Sequence, residues 1–272
     1  MSLPPRPQGF PLLRNFLLLW RHAVGRAFAG RRGVVLLLLA TLPVLIAWIK
    51  VENDPQVNTT SVVVTMLMFV FQFIVPLVGL FVGVAVLGDE IEGRTLTYLF
   101  TRPHPRPLVY LARYAGLAAA FALLLLGTIG ATAHLYASRV PITGTDVIAS
   151  AGIGVLGFLV YSAFFAALRV FLQRALFVGF LLTFIFEGFV SKIPHSGISR
   201  CFVWHHLAVL EMRLFEGRVS EAGDLGDILG GFSPDETVTG SLAVLGSVLV
   251  VSLTAAALRI RAQETRLANA AT

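Results

Sequence analysis

Six apolar runs, each about long enough to cross a bilayer, constrain this chain more tightly than any other feature. They are Gly33 to Ile49, Val62 to Leu87, Leu108 to Tyr136, Val147 to Leu168, Ala175 to Val190 and Val238 to Leu258. A hydrocarbon core about 30 Å thick takes about 20 residues of helix, and the fifth run is the shortest. Inside lipid, only helices and closed barrels satisfy their own backbone polar groups. These runs are continuous rather than alternating, so helices are expected. Charge content agrees: 13% of the residues are charged, against about 25% in soluble domains. So few charges cannot screen so much apolar surface from water. The expected fold is therefore all-α, a polytopic membrane protein with six spans in a single domain over residues 1–272. Pro76 falls within the second run and is expected to kink it.

The segment before the first span, "FPLLRNFLLLWRHAVGRAFAGRR" over residues 10–32, has apolar Phe16, Leu17, Trp20, Val24 and Phe28 at helical spacing. Arg14, Arg21 and Arg26 lie among them, and Arg31 and Arg32 close the segment. That pattern suits an interfacial helix with its basic face on the headgroups; the alternative is a solvated helix packed on a partner. The opening residues lack the basic, apolar and small-residue sequence of a cleaved secretory signal.

Lys and Arg distribution sets the expected orientation. With a cytoplasmic N-terminus, fifteen of the 21 basic residues fall on inside segments. Both termini are then expected inside, as are the connection 89–106 and the tight turn at 169–174. Residues 191–236 are expected outside, where "CFVWHHLAVLEMRLFEG" reads as an amphipathic helix on the outer surface or capping the bundle.

The connection "VLGDEIEGRTLTYLFTRPHPRP", residues 86–107, is where the apolar character stops abruptly. Positive-inside bias accounts for Arg94, Arg102 and Arg106 but not for Asp89, Glu90 and Glu92. In "DEIEGRTLTYLF", Ile91, Leu96, Leu99 and Phe100 can share one helical face, and acids at the start of a short helix suit its dipole. Such an element, fused to two spans, offers a soluble partner something to grip. The acids would meet partner Arg or Lys, and Arg94 a carboxylate.

The stretch "GDEIEGRTLTYLFTRPHPRPLVYLARYAG" resembles the cytoplasmic connection of ABC-2 type permeases, the membrane subunits of ATP-driven exporters. Glu90, Glu92, Gly93, Thr95, Leu96, Pro103, Arg106, Tyr110 and Arg113 occupy the positions that carry the likeness. Arg94, where many members have a small residue, and the inserted His104-Pro105 depart from it. The resemblance implies a coupling segment over 89–106 that docks on a separate ATP-binding subunit. It also implies two such permeases, identical or similar, around one pathway in the inner (plasma) membrane. ATP and magnesium would belong to the partner, because this chain has no "GxxxxGK[ST]" phosphate loop. The resemblance allows a non-transport role in the same machinery, such as maturation of an extracytoplasmic metalloenzyme or surface motility.

Other chemistries find little support. Cys201 is the single cysteine, and the six histidines lack ligand spacing, so no metal or catalytic site and no resident cofactor is expected. The balance of +6 lies beside apolar runs, which favours a lipid surface over nucleic acid. Asp89-Glu90, Arg94, Phe202 and His206 approximate a CAAX-type intramembrane protease pattern, yet the expected topology separates acids and histidine by about a bilayer thickness. The spans hold few ionisable groups of the kind ion carriers use. Glu187 is expected to snorkel outward or pair with Lys192, and His134 to sit at the interface. Bare spans suit a lipid-like or amphiphilic cargo.

Overall fold

A computed structural model describes residues 12–28, 31–92, 106–188, 199–219 and 237–270, and every regular element among them is helical. Helix α1 covers Leu12–Arg26 and α2 Arg31–Asn53. Helix α3 is one continuous rod: an α segment Thr59–Thr65, a widened π segment Met66–Ile74 and an α segment Val75–Glu92. Helix α4 covers Arg106–Ala137 and α5 Gly144–Phe171. Helix α6, Ala175–Leu181, widens into a π turn at Leu182–Glu187. Helix α7 is Val203–Leu214 and α8 is Val238–Ala270.

Five stretches are long and apolar enough to cross a membrane: Gly33–Asn53, Thr59–Gly88, Pro107–Ala137, Gly144–Phe171 and Val238–Ala262. The chain is thus an all-α, multi-pass membrane protein. The expected fifth span, 175–190, is described as far as residue 188, and its apolar helix covers Ala175–Ile185 within that stretch.

Alternating helix directions give the bundle two ends. The connection end carries the last turn of α3, the start of α4 and the turn from α5 to α6. The far end carries the links 54–58 and 138–143. At the far end Asn58 caps α3 by accepting the Ser61 N–H at 2.9 Å. There Val62, Tyr136 and Val140 pack with Ala47 and Val51, and the hydroxyls of Thr65 and Tyr136 are 2.8 Å apart.

Helix α5 is the axis. Phe158, Val160, Tyr161, Ala163 and Phe165 are all buried, and α3 lies directly against it. A Cβ on Gly83 would come 2.5 Å from the Ser162 carbonyl oxygen, and one on Gly79 would come 2.7 Å from the Tyr161 Cβ. Two glycines four residues apart put one bare strip on a helix, so the backbones touch. Helix α4 joins through Tyr114, whose hydroxyl donates to the Leu159 carbonyl at 2.8 Å.

Helix α3 changes its winding next to Pro76. The proline lacks the N–H that would reach back four residues, and the helix widens on its N-terminal side, where the Val75 N–H bonds the Val70 carbonyl. Helix α1 lies across α4: Gly116 sits under Ala23 and the Trp20 carbonyl, and the Phe28 and Phe121 rings are 5.0 Å apart. Leu17, Leu18, Arg21 and His22 stay exposed, so the helix packs on its own bundle while presenting a mixed apolar and basic face outward.

Candidate functional site

Two regions bear on function: the charged connection and a buried polar layer in the far half of the bundle. At the connection, α3 runs without a break through Asp89, Glu90 and Glu92. The acids therefore continue a helix already running, where a start of a separate short helix was expected. Gly93, Arg94, Thr95, Leu96, Leu99, Arg102 and Pro103 lie outside the described residues. Helix α4 resumes at Arg106, with Pro107 in its first turn, where a missing N–H costs nothing. Of the basic residues read as membrane-facing, Arg21 is exposed and Trp20 half-buried against α4. Arg14, Arg26, Arg31 and Arg32 lie within α1 and the first turn of α2.

The buried layer is built around α7. Trp204, His205, His206, Leu207, Ala208, Val209, Leu210 and Glu211 are all buried, which neither a surface helix nor a simple cap would show. A Cβ on Gly157 would meet Leu207 at 2.5 Å, so α7 presses directly on α5. The partners of Trp204, Leu207, Glu211 and Arg218 step from Tyr161 to Asp146 along α5. Helix α7 therefore runs antiparallel to α5 through the far half of the bundle.

The joint between the halves is Glu187. It does not snorkel to a surface: it is 8% exposed and accepts the Tyr161 hydroxyl at 2.5 Å and the Trp204 N–H at 2.6 Å. Its expected alternative partner, Lys192, lies outside the described residues. The bond to Trp204 answers a local need. First-turn N–H groups have no partner within their own helix, and Phe202 at the N-cap offers no side-chain acceptor. A carboxylate from α6 does the capping instead, at the positive end of the α7 dipole. The Trp204 indole N–H donates to the Leu67 carbonyl of the π segment at 3.3 Å. The joint thereby touches α3, α5, α6 and α7.

Three further polar contacts fasten α7. The His206 Nε2 lies 2.8 Å from the Arg200 carbonyl, and its Nδ1 3.2 Å from the Ser241 hydroxyl of α8. A carbonyl only accepts, so Nε2 carries a proton. Ser150 donates to Glu211 at 2.7 Å. Beyond the end of α7, Arg218 holds Asp146 with two bonds of 2.7 Å. The same carboxylate closes a capping box with Thr143 at the start of α5.

No group of three His, Cys, Asp or Glu among the described residues is placed to hold a metal. His206 is committed to Arg200 and Ser241. Asp89 is about 30 Å along α3 from Leu67, which meets Trp204, two residues from His206. The protease-like pattern is therefore not assembled. His134 is exposed near the far end of α4, as an interface residue would be.

Sequence comparison adds one finding. The model of a family described as ABC-2 family transporter protein matches residues 31–191, from the start of α2 to just past Glu187. No curated protein matches the chain.

Proposed function

Because this chain belongs to the ABC-2 family of transporter proteins, we propose that it is the permease of an ATP-driven exporter, worked by a separate ATP-binding subunit. The observation that carries this reading is the family match across both spans that flank the charged connection. Physical support comes from the position of the acids. Three carboxylates crowd within one turn of α3, like charges at i,i+3 spacing repel, and basic groups on a docked partner would offset that cost. Asp89, Glu90 and Glu92 bind those groups, Arg94 meets a carboxylate, and the apolar face of Leu96 and Leu99 seats the segment.

In this account the connection end faces the cytoplasm, with both termini on that side, in the inner (plasma) membrane. ATP and magnesium sit in the partner, and a second permease, identical or similar, completes the pathway. A push at 89–106 enters α3, whose glycine strip is locked against α5. The joint at Glu187 and Trp204 then passes the motion to α7 at the far end. The cargo is lipid-like or amphiphilic, in keeping with spans that carry few ionisable groups.

The test is charge reversal at the connection. Glu90→Arg or Glu92→Arg is expected to abolish the ATP turnover that the permease stimulates in its partner, with membrane insertion and yield intact. Turnover unchanged in both variants would remove these acids from the docking surface.

A further inference from the structure

On the bundle wall at the far end, α5, α7 and α8 enclose an open groove of about 440 Å³. Gly152, Ile153 and Leu156 of α5 line it with Leu210 of α7 and Leu242 of α8, and Arg213 is the charged residue among its lining. Its floor is open because Gly152 has no neighbour within 4 Å of where a Cβ would stand. At the rim, Arg213 Nη1 donates to both carboxylate oxygens of Glu216 at 2.9 and 3.1 Å. Both side chains reach solvent, the carboxylate more than the guanidinium.

We propose that this groove binds one membrane phospholipid with an aminoethyl headgroup: an acyl chain fills the groove, Arg213 takes the phosphodiester and Glu216 the ammonium. The groove opens sideways from a bundle that stands in lipid. A peptide strand there would leave its backbone unpaired, whereas an acyl chain brings no polar group. Arg213 lies in the register of α7 that reaches the end of the bundle, and its stem can follow the groove while its head stays at the headgroup level. A guanidinium matches a phosphate in two-point geometry. The neighbouring carboxylate then selects the rest of the headgroup. An ammonium offers it N–H donors, a choline offers only methyls, and a glycerol headgroup leaves it facing an anion without a counter-charge.

The site is independent of the transport reading and requires only that the bundle stands in a bilayer. Arg213, Glu216 and Leu242 all lie beyond the stretch that the family model matches.

The test is photolabelling of the full chain in phosphatidylcholine nanodiscs, with trace phosphatidylethanolamine, phosphatidylglycerol or phosphatidylcholine probes carrying an acyl-chain diazirine. The ethanolamine probe is expected to label the peptides around Gly152 and Leu242 several-fold more than either other probe. Excess unlabelled phosphatidylethanolamine should compete, and phosphatidylglycerol should not. Gly152→Phe, which fills the groove from an unhindered position, should remove the label while the thermal midpoint holds. Gly152→Ala should keep it. Glu216→Gln should erase the preference for ethanolamine over glycerol, and Arg213→Gln should lower labelling by both. Equal labelling by all three probes would reduce the groove to bulk hydrocarbon. A preference that survives Glu216→Gln, or cross-linking of these peptides to a second copy of the chain, would also overturn the proposal.

Discussion

At the scale of single residues, the buried carboxylates account for how a polar segment sits inside a membrane bundle. Glu187 satisfies two donors on two different helices. Glu187→Ala would leave the Trp204 N–H and the Tyr161 hydroxyl buried without it, at about 1–3 kcal/mol for each stranded group. Glu187→Gln keeps an acceptor oxygen and should lose less; thermal unfolding in nanodiscs ranks the two.

At the scale of elements, the α3–α5 contact depends on two missing side chains. Gly83→Ala places a methyl 2.5 Å from the Ser162 carbonyl oxygen and 2.9 Å from the Ala166 nitrogen. Backbone cannot yield as a flexible side chain does, so the helices must part, at about 1–3 kcal/mol. Gly152→Ala meets nothing and should gain up to about 1 kcal/mol in helix propensity. Opposite signs in one unfolding assay would confirm the contact, and a neutral Gly83→Ala would contradict it. The apolar spans are plain in the sequence, because a continuous apolar run has few other ways to satisfy its backbone in lipid. Helix α7 was not legible as a buried element. Its His205, His206, Glu211 and Arg213 read as a surface face, since the groups that satisfy three of its polar contacts come from Ser150, Glu187 and Ser241, far away in sequence. Gly79 and Gly83 likewise look like ordinary span glycines until α5 is laid against them. The charged connection stands out in the sequence by composition alone. What the sequence missed there is the continuation of α3 through Glu92, because a cluster of acids suits a helix start by its dipole preference.

At the scale of the whole molecule, the protein is a membrane bundle with a charged connection, the proposed grip, at one end and the fastened helix α7 at the other. Helices α3 and α5 run between them. That arrangement is useful to an ATP-driven permease only if the grip stands on the side where nucleotide is hydrolysed. Cysteine accessibility decides this directly, because Cys201 is the single native thiol. In a Cys201→Ser background, a cysteine replacing Gly93 is exposed in intact cells to a membrane-impermeant maleimide. The account predicts no labelling until the membrane is opened, and full labelling afterwards. Labelling from outside intact cells would place the connection away from ATP and contradict the account.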